Sequence, residues 1–348
     1  MRKHSRTILI HLARRSMLEA TADCFDERRC RTLSESERRK AQELHCPEVF
    51  HMTEVFQERG WKCYWVTFDD IDVASLHHSR VYDVSEQKFL RLNTIELNAR
   101  VDVVLARVMG SVEGKIGNVR EYFERLQEEF HGVTLNDPAS VLYGLRKDYL
   151  FEYAKAGFAT IPTEYFDRTV SFAELERVHR GQLDRYVIKP VTGELGNSFA
   201  SLASIDEGVL RHKEPLVGGW LVQPFMPSIW EGEYQLFFIG NTLVQGIRKV
   251  HRKVPGIAVP QPTDRSFEKH QPTPAEEAFA RRAKAFWTGD LGRPIDICRV
   301  DFIKDTDGSP LLLEFEAVNP GFLFNPASEA RRVASLLEEH AVSRIHHA

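Results

Sequence analysis

Two layers can be read from this sequence: an α/β layer with parallel strands on the N-terminal side, and an α+β part with antiparallel strand pairs toward the C-terminus. Three observations predict them. Short apolar strand-like runs alternate with helical stretches through residues 1–135, the pattern of a parallel sheet with crossover helices. Turn signals join alternating apolar runs after residue 220, the pattern of hairpins. No repeat and no low-complexity linker interrupts either region.

The 348 residues suffice for two or three domains, and 43% hydrophobic with 28% charged residues is ordinary globular composition. A formal net charge of −4 gives no global pull toward nucleic acid or an anionic membrane. No basic aromatic stripe marks a nucleic-acid surface. No apolar run approaches the ~20 residues of a membrane span. The basic opening "MRKHSRTILIHLARR" has an apolar core broken by His11, so it reads as a first strand and not as a signal peptide. Five cysteines, an odd number without CxxC spacing, argue against a disulfide framework or zinc site and fit a reducing cytoplasm.

In chain order, "RTILIHLA" reads as a strand, and the charged stretch 26–46 as a solvated helix or loop. "HMTEVFQERG" is a helix ending at Gly60. Strands follow at "WKCYWVTF" and "VDVVLAR", then a helix near 118–130 and a short strand at "GVTLN". "SVLYGLRKDYLFEYAKAG" is helical to Gly157. "RYVIKPVTGELGNSFASLAS" is strand, glycine loop and strand, and "GGWLVQPFM" is a further strand. "EGEYQLFFIGNTLVQGIRKV" is a strand pair turning near Gly240-Asn241. A helix starts at Pro274.

The chemistry concentrates in the last pair, "DICRVDFIKDTDGSPLLLEFEAVNP". Asp307-Gly308 is a two-residue hairpin signal. Counting back from it sets Asp301 opposite Glu314 and Arg299 opposite Glu316, all on one face. Like charges directly opposite are destabilising, so the three carboxylates need cations. Arg299 neutralises one. The remainder suits a hard, oxygen-ligated ion such as Mg2+; an exposed face with a salt bridge is the alternative. Asn319-Pro320 just beyond favours the metal.

Lys189 stands in an apolar strand before Gly193 and Gly196. Glycine lets backbone N–H groups approach phosphate, and lysine adds a point charge. The lysine precedes the glycines, so this is not a P-loop, and a surface hairpin is the competing reading. Lys147 and Arg248-Lys249 add cations. Together these charges describe a site for a metal–polyphosphate.

The order of these pieces, from about residue 101 to 330, resembles an ATP-grasp enzyme of the glutathione synthetase branch. "LNDPASVLYGLRKDYLF", "YVIKPVTGELGNS", "LVQPFMPSIWEGEYQLFFIGNTLVQGIRK" and "RVDFI…LLLEFEAVNP" carry the likeness. The "EGE" turn, the RK strand end and the second acid after Glu314 are similar to the subgroup containing the cycloserine-forming cyclo-ligase. Glu316 stands where the branch usually has Asn, and Gln235 where it has a basic residue, so a glutathione substrate is not implied.

The resemblance implies a fold with an N-terminal α/β domain (1–135), a linker helix and lid (136–222) and a C-terminal antiparallel catalytic half (223–348). It implies that Lys147 and Lys189, with the Gly193–Gly196 loop, contact ATP phosphates. Gln223, Phe225 and Met226 meet adenine, and Glu233 meets the ribose or hinge. Arg248 steadies the transferred phosphate, and Asn319 lies near the metal or the acyl-phosphate. Asp301, Glu314 and Glu316 hold two Mg2+ ions, with Mn2+ as a substitute. The implied activity is ATP-dependent ligation of a carboxylate, through an acyl-phosphate, to an amine or related nucleophile, on small amino-acid-like or peptide substrates, in a homodimer or homotetramer. Arg107, His251, Arg252 and Arg265 are substrate candidates, each with a solvated or salt-bridged role as the alternative. A cyclising or phosphotransfer reaction, or a non-catalytic nucleotide-binding module, remains the competing reading.

Overall fold

The computed structural model describes residues 6–12, 47–106, 115–167, 169–179, 181–192, 200–211, 218–253, 259–260, 265–321 and 327–347. The charged stretch 26–46, Arg107, Gly193 and Gly196 lie outside the described residues.

The first sheet has seven strands. Its parallel centre is β1 (Thr7–Leu12), β2 (Lys62–Thr67), β6 (Val103–Leu105) and β7 (Val133–Leu135). The short strands β3 (Ile71–Asp72), β4 (His77–Asp83) and β5 (Lys88–Leu92) extend it antiparallel beyond β2. Three helices accompany them: α1 (Pro47–Glu58), α2 (Thr94–Arg100) and α3 (Ile116–Glu129). Central parallel strands are covered on both faces and therefore read as unbroken apolar runs. Ile8 and Ile10 pack with α1, while Leu9 packs with Val119, Tyr122 and Phe123 of α3.

The helical reading of 140–157 is corrected in one respect: it is two helices, α4 (Pro138–Gly144) and α5 (Tyr149–Lys155). Asp137 caps α4 through the Ala139 N–H at 2.9 Å, with Pro138 in the first turn. Lys147 falls in the break between the two helices, and its N–H donates to the Val191 carbonyl at 2.9 Å. A four-stranded antiparallel sheet follows, ordered β10-β9-β11-β8. It comprises β8 (Glu164–Phe166), β9 (Tyr186–Pro190), β10 (Ala200–Ser201) and β11 (Trp220–Pro224), with α6 (Phe172–Val178) beside it.

The third sheet is antiparallel and five-stranded, ordered β14-β13-β12-β15-β16. Its strands are β12 (Glu233–Ile239), β13 (Thr242–His251), β14 (Arg265–Lys269), β15 (Ile297–Lys304) and β16 (Pro310–Glu316). One face packs Leu236, Phe238, Val300 and Phe302 against α5 and α7 (Pro274–Thr288), with Trp287 stacked on Phe315 at 4.4 Å. The other face is divided. At one end Phe237, Ile239 and Ile297 join the N-terminal core and α8 (Ala327–His347). Farther along the same face the side chains become Gln235, Glu233, Arg299 and Asp301.

Buried Asn136, just after β7, ties the two large sheets together. Its amide donates to the Ile297 and Ala317 carbonyls at 2.6 and 2.7 Å, and its oxygen accepts from the Asp296 and Ile297 N–H groups. A fully satisfied buried amide fixes geometry. Here it holds the N-terminal sheet at the root of the polar face.

Candidate active site

The polar face is assembled from strand register, and two β-bulges decide who belongs to it. In the β15–β16 hairpin the predicted two-residue turn is corrected. Asp305 donates its N–H to the Ser309 carbonyl, and Gly308 donates to the Asp305 carbonyl. The loop is thus three residues, Thr306 to Gly308, with Gly308 at φ +85 in the left-handed position that such loops reserve for glycine. That alone would shift the pairing by one. Phe302 pairs with Leu312 but Asp301 with Glu314, so a bulge at Leu313 restores the offset, and Arg299 pairs with Glu316. The expected carboxylate register therefore exists, for a different local reason.

The second bulge has the opposite effect. Ile239 pairs with Thr242 across Gly240-Asn241, and continued pairing from that turn would bring Arg248 opposite Glu233. A bulge at Val244 intervenes, and Glu233 pairs with Lys249 instead. A one-residue slip moves a side chain to the other face. Arg248 accordingly lies on the Tyr234 face, donating from Nε to the Glu231 carbonyl at 2.9 Å and standing 3.5 Å from Glu268. It packs over Gly232, where an added Cβ would come within 2.8 Å of the Arg248 Nε. The structure does not bring Arg248 to the carboxylates. Lys249, counted in the sequence only as one cation of the Arg248-Lys249 strand end and given no role of its own, takes that place, its Nζ 2.6 Å from Glu233 Oε2.

A chain of contacts crosses the face. Gln235 donates to Glu233 at 2.8 Å and stands 3.2 Å from Asp301 Oδ2. Arg299 grips Asp301 through two hydrogen bonds, 2.6 and 2.7 Å long, the fork geometry that makes guanidinium–carboxylate pairs strong. Lys147 Nζ lies 3.2 Å from Glu314 Oε1. Glu316 accepts the Val318 and Asn319 N–H groups, each at 2.9 Å. The Tyr149 hydroxyl accepts the Phe315 N–H at 3.1 Å, which anchors the α4–α5 break against β16.

The electrostatics follow from burial. Burial pushes the Lys189 ammonium down to about 8, and Lys147 adds to the effect against the pull of Glu314. Burial raises Glu314, yet Lys147, Lys189 and Arg299 hold it below the ordinary carboxylate range. Glu233 is lowered too, because Lys249, His251 and Arg299 together outweigh its burial. Asp301 goes the other way: burial raises it, with Glu233 and Glu314 adding, against the Arg299 guanidinium.

The remaining candidates fall around this centre. Gln223, expected at adenine, is buried and donates to Thr163 Oγ1 at 2.7 Å. Phe225 is held through its N–H to the Arg185 carbonyl and lies 6.2 Å from the Trp230 ring; Met226 leads into the turn Pro227–Trp230. His251 and Arg265 pair across β13 and β14 on the Lys249 face. Arg252 follows the end of β13.

Asp301, Glu314 and Glu316 form an oxygen-only donor set, which fits a hard ion such as Mg2+ and no soft metal. As they stand, Arg299, Lys147 and backbone N–H groups occupy these oxygens, and among the described residues no three His, Cys, Asp or Glu side chains are arranged to hold an ion.

The whole chain resembles a group of solved structures. The crystal structure of D-cycloserine synthetase DcsG superposes with a TM-score of 0.65 at 20% identity, covering 96% of this chain and 99% of that one. D-Alanine–D-alanine ligase from Bacillus anthracis gives 0.61 at 12% identity, with 99% of both chains covered. The ATP-grasp ligase PsnB, complexed with a minimal precursor, gives 0.55 at 12% identity over 97% of this chain and 100% of that one.

The chain has the ATP-grasp fold.

The expected α/β and α+β architecture is thereby borne out, with the antiparallel sheets of the ATP-grasp arrangement in place. A curated relative agrees: the cycloserine biosynthesis protein DcsG of Streptomyces lavendulae is 27% identical over 211 residues, 57% of this chain and 70% of the relative. No family model matches the chain. Among the described residues no helix is long and apolar enough to cross a membrane.

Proposed function

We propose that the protein is an ATP-dependent ligase that activates a carboxylate as an acyl phosphate and passes it to an amine or related nucleophile, on a small amino-acid-like or peptide substrate. The observation that carries this reading is the interlocked charge at one sheet face: Lys249 and Arg299 stand on it among Glu233, Asp301, Glu314 and Glu316, and Lys147 and Lys189 are brought against Glu314 from outside the sheet. Such a cluster is costly as a bare surface and useful where phosphate and a cation enter together.

A carboxylate is a poor acyl donor because its leaving group would be oxide. Phosphorylation turns the leaving group into phosphate, and the protein then has mainly to position reactants and balance charge. Lys147 and Lys189, with Gly193 and Gly196, would contact the nucleotide phosphates, and Glu233 the ribose or hinge. Lys249, on the carboxylate face, is better placed than Arg248 to steady the transferred group. Asp301, Glu314 and Glu316, with Asn319 beside them, would hold two Mg2+ ions or Mn2+, which neutralise phosphate oxygens. In this reading residues 1–135 carry the substrate side, 136–222 the linker and lid, and 223–348 the catalytic half.

A second reading, ring closure within one molecule, is favoured by the likeness to D-cycloserine synthetase DcsG. The test begins with calorimetry of Mg·ATP and a phosphate-release panel of L- and D-amino acids. Product mass then separates joining of two substrates from loss of water by one. Glu314→Gln is expected to lower turnover by about 10²-fold or more. Absence of Mg·ATP binding, or a Glu314→Gln variant with unchanged turnover, removes the proposal.

A further inference from the structure

Acyl transfer to nitrogen needs a group that the phosphate machinery does not supply. As the nucleophile attacks the acyl phosphate, a C–N bond forms and the C–O bond to phosphate breaks. Phosphate leaves with the electron pair, and the nitrogen must shed a proton. The carboxylates of the polar face are poorly suited to take it. Glu233 answers Lys249 and Gln235, Asp301 answers Arg299, Glu314 answers Lys147, and Glu316 answers two backbone N–H groups.

His251 differs from all of them. It is the last residue of β13, on the same face as Lys249 and opposite Arg265. It is nine-tenths buried, yet neither ring nitrogen has a hydrogen-bond partner among the described residues. A buried imidazole without partners calls for an explanation. Its Nε2 lies 3.7 Å from Glu233 Oε2, too far for a hydrogen bond and close enough for charge attraction.

We propose that His251 is the proton acceptor for the attacking nucleophile. This rests on the ligase reading above. With Nε2–H turned toward Glu233, the Nδ1 lone pair receives the proton, and the Glu233 carboxylate steadies the imidazolium that results. Lys249 and His251 are two residues apart, about 6.7 Å along a strand. One can therefore hold the phosphate while the other meets the nucleophile beside it.

The experiment uses the full chain, with the amino acid that supports phosphate release in the panel, and hydroxylamine as a probe nucleophile. Hydroxylamine is largely unprotonated at neutral pH and attacks acyl phosphates without a strong base. His251→Gln is expected to lower kcat for the natural product about 10²-fold or more. It should leave Mg·ATP affinity and hydroxamate formation within about threefold of wild type. Added imidazole should restore activity to His251→Ala. Equal loss of hydroxamate and natural product, or loss of Mg·ATP binding, would assign His251 a structural role and overturn the proposal. Unchanged formation of the natural product overturns it as well. Wild-type protein that releases no phosphate with any panel member removes the ligase reading itself, a failure visible before any variant is made.

Discussion

Two of the polar clusters buried among the described residues are built on opposite terms. In the N-terminal layer the Tyr122 hydroxyl lies 2.9 Å from His11 Nε2 and 3.4 Å from His78 Nε2, and all three side chains are fully buried. Apolar burial drives His11 down to about 3 and His78 to about 4, so this cluster is neutral at ordinary pH. On the C-terminal sheet the buried groups are ions, arranged as Lys249–Glu233, Arg299–Asp301 and Lys147–Glu314. A neutral hydrogen-bonded group suits a core. Buried ion pairs seldom stabilise more than apolar residues of the same shape would. The charged cluster therefore points to chemistry, and the neutral one to structure.

The sharpest way to break that contrast is to remove one ion. Arg299→Ala leaves Asp301 buried beside Glu233 and Glu314 without its guanidinium, and is expected to cost about 3–5 kcal/mol of unfolding free energy. Urea denaturation measures it. The double variant Arg299→Met with Asp301→Leu should recover most of that loss while failing to bind Mg·ATP. If the double variant is as unstable as the single one, the charges are structural after all.

The neutral cluster predicts a smaller effect of pH. A histidine whose folded pKa is lowered binds fewer protons in the folded state than in the unfolded one, so stability falls as pH drops below about 6.5. The loss is about 1.4 kcal/mol per pH unit for each histidine, roughly 2.7 for the two. It ends for His78 near 4 and for His11 near 3, where the folded protein also takes the proton. Raised Asp301 titrates in part of this window with the opposite sign. The histidine share is therefore read as the difference in slope between wild type and His78→Phe, by denaturation from pH 7 to 5. Identical slopes would mean that His78 is already charged or hydrated in the folded state.

The two clusters were not equally legible in the sequence. "LLLEFE" and "CRVDFI" announced the carboxylates because a strand's period of two is visible in letters, and the Asp307-Gly308 turn supplied a register. The Leu313 bulge compensated for a loop one residue longer than expected, so the count succeeded. On the neighbouring hairpin the same counting would have chosen Arg248, and the Val244 bulge chose Lys249. Bulges answer to packing between sheets, which no local signal in the strand reveals. Val244 belongs to the core shared with α8, nearly 90 residues away in the chain. The His11–Tyr122–His78 cluster was invisible for a related reason. Its members come from β1, α3 and β4, and only the fold brings them together.

The smallest predicted effect returns to the charged cluster and asks whether its cations serve phosphate. Lys189 is lowered from the usual lysine value to about 8 by burial and by Lys147. In ligand-free protein it therefore loses its proton as pH rises through about 8. Bound phosphate favours the charged form, so binding of Mg·ATP above that pH must take up a proton, and affinity should weaken by up to about tenfold per pH unit. Calorimetry at pH 7 and pH 9, in buffers of different ionisation enthalpy, counts the protons. Uptake near zero at the lower pH and approaching one at the higher is the expected result. Lys189→Arg keeps its charge throughout and should remove the uptake, whatever it does to affinity. Equal uptake in the variant would move the titrating group elsewhere, with Lys147 the next to examine, since it shares Glu314 with Lys189.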